Sequence, residues 1–173
     1  VALARQLLDM AIRDPKGQVE WLGMDLGGGG ERFGFGPVGL SLYGGSIGVA
    51  CLLNELRGVP ADLPDAGTVV DSILAPLDGL IGNDQEAALY RWWRDQPLGV
   101  SGSGGILLGL LALGRDNVFD ALLASLPHQV LEADQQLDLL GGCCGLIGPL
   151  LQRGSATALE IAIRAGDHLL AQQ

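Results

Sequence analysis

Hydrophobic positions along most of the chain recur at the spacing of an α-helix. In residues 1–14, Leu3, Leu7, Leu8 and Ala11 fall on one helical face. Further amphipathic helices are predicted in the segments AGTVVDSILAPLDGLIG, QEAALYRWWRD, NVFDALLASL and TALEIAIRAGDHLLAQQ. The first of these should bend or end near Pro76, and the last should begin with a capping box formed by Thr157 and Glu160.

Alternation of β-branched and polar residues is almost absent, so the pattern predicts an all-α fold. Residues 14–45 are the exception, because glycine is frequent there and the helical spacing fails. This segment is predicted to be a long loop that contains short strand segments.

Three almost wholly apolar segments repeat one another: GSIGVACLLNEL, GSGGILLGLLAL and GCCGLIGPLLQR. Each carries glycine at its first and fourth positions, and these glycines are Gly45, Gly48, Gly102, Gly105, Gly142 and Gly145. Each segment is followed by a more amphipathic helix. A helix that is apolar on all sides must be buried, and one with a single apolar stripe covers it from outside. The repeat therefore predicts an inner and an outer layer of helices.

The recurring glycines argue for a geometric need, because glycine inside a helix costs roughly 1 kcal/mol relative to alanine. At the start of a buried helix, glycine permits a sharp turn and a close approach of neighbouring backbones. A generic helical bundle with flexible turns is the simpler alternative.

Composition and charge narrow the class of protein. The chain has 173 residues, enough for one domain, and a net charge of −10 with no basic cluster. Binding to nucleic acid or to an anionic membrane is disfavoured, because both need Lys and Arg to neutralise phosphates. The longest apolar runs are too short to cross a bilayer. Three cysteines, two of them adjacent, favour a reducing and hence cytoplasmic compartment.

The glycine-led segments and their flanks resemble a known family, the lanthionine cyclases (LanC-like proteins). WLG with LSLYGGSIGVACLLNEL is similar to the first repeat of the C-terminal domain of type II lanthipeptide synthetases (LanM family), and PLGVSGSGGILLGLLAL is similar to the second. DQQLDLLGGCCGLIGPLLQR is similar to the third, with the family's Asp-x-x-x-Gly-x-x-Gly pattern at Asp138, Gly142 and Gly145.

This resemblance implies an α/α toroid of seven inner and seven outer helices, of which the chain holds about three pairs in a single partial domain, residues 1–173. Residues 1–44 would be a leading helix and loop, 45–101 the first repeat, 102–141 the second and 142–173 the third. The chain begins at Val1 without a methionine, and we expect it to be part of a longer protein.

The resemblance also implies a function. Lanthionine cyclases add cysteine thiols of a precursor peptide to dehydrated serine or threonine residues, which closes thioether rings. Zinc in the parent protein would activate the thiol. Its ligands, in the family's Trp-Cys and Cys-His-Gly motifs, are expected beyond Gln173, so this fragment alone should bind no metal and be inactive. An upstream dehydratase domain and the lanthipeptide precursor are the expected partners.

Asp138 is the candidate catalytic residue, since it matches the family's active-site aspartate and would handle a proton or orient a histidine. An aspartate before a helix is also a common N-cap, which is the alternative role. Cys51, Cys143 and Cys144 are predicted to be small packing residues. Adjacent helical positions point about 100° apart and do not chelate well together.

The remaining candidates are weaker. His128 and His168 are predicted to be surface or capping histidines, and Trp92 and Trp93 either anchor packing or form a peptide-binding patch. Two other functions stay open. One is a non-catalytic helical scaffold that binds peptides. The other is a toroidal glycosidase, which needs a second acid opposite Asp138; the available acids are Glu20, Glu31 and Asp84.

Overall fold

Helices account for most of the residues that the computed structural model describes, which are 2–26, 33–58, 66–82 and 86–172. The helices are α1 (Ala2–Asp9), α2 (Ser46–Glu55), α3 (Ala66–Gly82), α4 (Glu86–Arg94), α5 (Ser103–Ala112), α6 (Asp116–Ala124), α7 (His128–Glu132), α8 (Cys144–Arg153) and α9 (Ala156–Ala171), with a 3-10 turn at Leu56–Gly58. The mostly helical fold expected from the sequence is therefore confirmed. Among the described residues, none of the helices combines the length and the apolar character that crossing a bilayer requires.

Short strands occupy most of the segment in which the helical spacing fails. The helix predicted for residues 1–14 was too long, because α1 ends at Asp9 and the first strand begins at Ile12. β1 (Ile12–Arg13) pairs antiparallel with β2 (Val19–Glu20), and β3 (Leu22–Leu26) pairs antiparallel with β4 (Phe33–Pro37). In the second pair Leu22 lies opposite Pro37 and Met24 opposite Phe35. The prediction of short strand segments is thus confirmed.

The chain forms two compact units, Val1–Pro76 and Leu77–Gln173. The first unit joins its strands to its helices through part-buried polar contacts. The indole Nε1 of Trp21, a buried residue, donates to the carbonyl of Leu7 in α1 at 2.8 Å. The hydroxyl of Ser72 in α3 accepts from the N–H of Val19 at 2.9 Å and donates to the carbonyl of Gly17 at 3.0 Å. One serine therefore ties α3 to the β1–β2 turn.

Four helices of the second unit pack against one another. α5 contacts both α6 and α8, and α9 also contacts both α6 and α8. Every residue of α5 from Ser103 to Leu107 is buried, whereas α9 buries Ala158, Ile161, Ala162 and Ala165 along one face. This contrast is the one expected between an enclosed helix and a covering helix.

Two helix limits refine the sequence expectations. α3 continues to Gly82, so Pro76 lies inside the helix and does not end it. The predicted capping box was wrong, because α9 begins before Thr157. Its N-cap is Ser155, whose side chain accepts from the N–H of Ala158 at 3.3 Å. Ser155 therefore caps α9, and Thr157 lies within its first turn.

Candidate functional site

The loop between α7 and α8 carries the candidate site, and the Asp134 carboxylate organises it. Asp134 Oδ1 accepts from the N–H of Gln136 at 3.2 Å. Its Oδ2 accepts from the N–H groups of Leu137 at 3.3 Å and Cys143 at 2.7 Å. One carboxylate thus fixes both ends of the loop by satisfying backbone donors, including one at the start of α8.

A tight turn places Asp138 within this loop. The N–H of Asp138 donates to the carbonyl of Gln136 at 2.7 Å, which is the hydrogen bond of a γ-turn. The central residue, Leu137, has a φ of 58°, a left-handed conformation that is unfavourable for a leucine. Strained backbone of this kind clusters at functional sites.

Asp138 is exposed and caps the turn that follows it. Its Oδ1 accepts from the N–H of Gly141 at 2.6 Å and of Gly142 at 3.3 Å. The Gly141 hydrogen bond is the main cause that lowers the pKa of Asp138; partial desolvation opposes it, and the N–H groups of Gly142 and Leu140 lower the pKa further. Asp138 is therefore a carboxylate at neutral pH, which suits it to attract a cation and not to donate a proton.

The first repeat contains the same cap with a neutral side chain. Ser41 lies four residues before Gly45, as Asp138 lies four residues before Gly142. The Ser41 hydroxyl accepts from the N–H of Gly44 at 3.3 Å. A serine is thus sufficient to cap this turn, and the negative charge of Asp138 is not needed for that purpose.

The repeated glycines lie where the preceding loop crosses the start of each buried helix. A Cβ atom added to any of five of them would overlap a backbone atom of that loop: Gly45, Gly48, Gly102, Gly142 and Gly145. The sixth, Gly105, is buried and donates its N–H to the carbonyl of Gly99 at 3.4 Å. The loop that passes over the helix is therefore the physical reason for glycine at these five positions.

The position after the first glycine holds a buried polar group in every repeat, although the sequence pattern drew attention only to the third-repeat residue, Cys143. Ser46 donates its hydroxyl to the carbonyl of Gly39 at 2.9 Å, and Ser103 donates to that of Pro97 at 3.2 Å. Cys143 is the equivalent residue in the third repeat. A thiol there replaces the hydroxyl of the other two repeats.

The Cys143 thiol faces Asp134 instead of a carbonyl group. Cys143 is completely buried. Burial, followed by the hydrogen bond to Asp134 and the negative charge of that carboxylate, raises the pKa of Cys143 to about 12. The Cys143 side chain is therefore a protonated thiol at neutral pH and is a poor nucleophile.

His168 reaches the same place from α9. Its Nε2 lies 2.9 Å from the carbonyl oxygen of Asp134, and the residue is half-buried. One ligand atom each from Asp134, Cys143 and His168 all lie within 4.8 Å of one another. The sequence offered no local signal for this cluster, because Asp134 and His168 are 34 residues apart.

The other predicted residues lie outside this cluster. Cys51 and Cys144 are half-buried, and burial together with the charge of Glu55 raises the pKa of Cys51. His128 is exposed at the start of α7.

The two tryptophans of α4 pack against each other. Trp93 is completely buried and contacts Trp92 edge to face, with 4.9 Å between the ring centroids. Trp93 Nε1 also donates to the hydroxyl of Ser125 at 3.1 Å. A buried indole with a hydrogen-bond partner is a packing anchor, so Trp93 has the first of its two predicted roles.

A cavity of about 690 Å³ lies beside the Asp134 loop within the second unit. Its walls include Tyr90 and Arg94 of α4, together with Asp134, Gln136 and Gly141. This lining combines aromatic, cationic, acidic and amide groups.

The structure does not place a second acid opposite Asp138 among the described residues, as a glycosidase would require. Glu31 and Asp84 lie outside the described residues, and Glu20 is half-buried in β2 of the first unit.

No protein-family model matches the sequence, and neither a curated protein nor a solved structure is significantly similar to it.

Proposed function

We propose that the chain forms the first helix-pair repeats of a lanthionine cyclase domain, and that Asp138 contributes to its active site. The observation that carries this proposal is the arrangement of α5 and α8 as neighbouring glycine-led helices, each covered by an amphipathic helix. The same loop crossing recurs at Gly45 in the first unit. A helix-pair toroid is built by repeating such a unit.

Asp138 supports the proposal through its charge and its exposure. The first repeat caps the equivalent turn with Ser41, so an ionised side chain at Asp138 is more than the fold requires. An exposed carboxylate of lowered pKa can orient an imidazolium or stabilise a developing positive charge near the reacting thiol. Asp138 would hold the group that transfers the proton and would not donate the proton itself.

Zinc, when bound in a cyclase, converts the attacking cysteine of the peptide into a thiolate. The ligand motifs that the resemblance implies, Trp-Cys and Cys-His-Gly, do not occur in this sequence. The residues present therefore do not fit the family's zinc site, and the contribution proposed for this chain is limited to Asp138 and the helix framework.

The test uses the full-length protein and a peptide that carries one cysteine and one dehydroalanine. Ring closure is followed by mass spectrometry as the loss of a thiol that an alkylating reagent can modify. Asp138→Asn keeps an oxygen that can cap Gly141 but removes the charge. We expect this substitution to slow ring closure at least about 10-fold. The loss of rate should be smaller than that caused by removing a direct general acid or base, because Asp138 acts through a partner.

Asp138→Ser is the matched variant, because it reproduces the cap found at Ser41. It should fold like the wild type and be as slow as Asp138→Asn. Gly166→Ala, in the covering helix α9, is the control that should close rings at the wild-type rate. Unchanged ring closure in Asp138→Asn would refute the role of this carboxylate, and a wild-type protein that binds the peptide without closing the ring would favour the scaffold function.

A further inference from the structure

We propose that Asp134, Cys143 and His168 form a binding site for a transition-metal dication, for which Zn²⁺ is the best match. This site is separate from the zinc centre implied by the cyclase resemblance, and it goes beyond the proposed function. Its three side chains come from the loop before α8, the residue that precedes α8, and α9. A bound ion would join these three segments.

The donor atoms and their spacing fit a zinc ion. A carboxylate oxygen, a sulfur and an imidazole nitrogen are the three kinds of protein ligand that Zn²⁺ takes, at about 2.0–2.3 Å from the metal. Ligands of a tetrahedral ion at these distances lie about 3.3–3.8 Å apart. The three ligand atoms in this cluster all lie within 4.8 Å of one another, so small side-chain shifts would complete the site.

The cluster is held in place before any ion binds. Asp134 Oδ2 accepts from the N–H of Cys143, which fixes the carboxylate beside the thiol. His168 Nε2 lies within hydrogen-bonding distance of the carbonyl oxygen of Asp134. In the tautomer whose Nε2 carries the proton and donates it there, Nδ1 keeps a lone pair that can bind a metal ion. Coordination through Nδ1 would preserve this hydrogen bond, which is the usual outer-shell support of a metal-bound histidine. Coordination through Nε2 would replace it.

The position of Cys143 holds a hydroxyl and not a thiol in the other two repeats. Ser46 and Ser103 occupy the equivalent position and satisfy loop carbonyl groups with their hydroxyls. Cys143 faces a carboxylate and a histidine instead. The third repeat therefore combines a soft sulfur ligand with two further donors at a position where the other two repeats carry serine.

Coordination forms a sulfur–metal bond and releases the thiol proton of Cys143 to solvent. Asp134 lines the cavity of about 690 Å³, so the cluster borders this cavity through its carboxylate ligand. Three protein ligands leave a fourth position for water.

The experiment is a titration of the chelator-treated full-length protein with Co²⁺, followed by elemental analysis after reconstitution with Zn²⁺. Co²⁺ reports thiolate ligation, because a cobalt–thiolate bond produces a charge-transfer absorption that oxygen ligands do not, and the part of this absorption that is lost in Cys143→Ser belongs to the proposed site. Loss of an outer-shell partner alone costs about 10–100-fold in affinity. Removing the sulfur ligand in Cys143→Ser should therefore weaken Co²⁺ binding at least about 100-fold and lower the Zn²⁺ content by one equivalent.

Cys143→Ser places in the third repeat the residue that the other two repeats carry, so it should fold. His168→Ala is the second variant and should lose the same equivalent. Cys144→Ser and His128→Ala are the matched controls and should bind as the wild type does. Equal metal content in wild type and Cys143→Ser, or an equal loss in Cys144→Ser, would overturn the proposal. The readout is metal content and not ring closure, so failure of this site and failure of the cyclase proposal are distinguishable.

Discussion

A Cβ atom added to Gly104 would lie 2.7 Å from the carbonyl oxygen of Gly145, so α5 and α8 meet backbone to backbone. Gly104→Ala should therefore force the two helices apart and destabilise the fold by about 1–3 kcal/mol, as overpacking does. Urea denaturation followed by circular dichroism measures this loss.

Gly166→Ala provides the control for that experiment. A Cβ atom at Gly166 meets no other atom within 4 Å, and the residue lies inside α9. Alanine should stabilise this helix by roughly 0.5–1 kcal/mol. Equal effects of the two substitutions would contradict the close contact of α5 and α8.

The contribution of Asp138 to the free energy of unfolding should fall as the pH is lowered. Backbone N–H groups, led by that of Gly141, hold its folded pKa below the unfolded value, so its contribution is present above the unfolded pKa and is lost as pH falls through the folded pKa. The difference in urea midpoint between wild type and Asp138→Asn should therefore be largest near neutral pH and shrink below about pH 3.9, the ordinary aspartate pKa. A difference that grows on acidification would refute the capping interaction.

Trp93 should be an anchor of the second unit. It is completely buried and its indole N–H is bonded to Ser125, so Trp93→Ala should cost about 3–5 kcal/mol in unfolding free energy. Trp92 is only half-buried, and Trp92→Ala should cost clearly less. Far-ultraviolet circular dichroism during urea unfolding suits both variants, because it does not depend on tryptophan fluorescence.

Ser72 should stabilise the first unit through its two hydrogen bonds. Ser72→Ala leaves the N–H of Val19 without its partner and should cost about 1–3 kcal/mol. Thr68→Ala is the control, because Thr68 is exposed on the same helix and such changes stay within about 0.5 kcal/mol. Thermal unfolding of the two variants separates these outcomes.

Most of the helices and the repeat could be predicted because their signals are local, whereas α7 was not predicted and the helix predicted for residues 1–14 ends at Asp9. Continuous apolar character marks α5, apolar residues three or four apart mark α9, and glycine at fixed positions marks where each buried helix begins. The predicted start of a helix was less accurate where two residues could each serve as the N-cap. Ser155 and Thr157 are such a pair at the start of α9, and Ser155 is the N-cap in the structure.

The contacts of the candidate site could not be predicted in the same way. Asp134, Cys143 and His168 are distant in sequence, and the packing of α9 on α8 brings them together. The packing prediction for Cys143 was correct about its burial but did not include its carboxylate neighbour. The second position of each repeat, which is serine twice and cysteine once, was the signal that could have been used.

The loop that crosses each buried helix also determines where the chain could be divided for grafting. Gly99, Val100 and Ser101 donate their N–H groups to the carbonyls of Gly141, Leu139 and Leu140. A chimera joined at Gly142, where the sequence repeat begins, would separate α8 from the residues that shape its first turn. A junction placed ahead of Asp134 would transfer loop and helix together, so the exchangeable module begins about eight residues earlier than the glycines suggest.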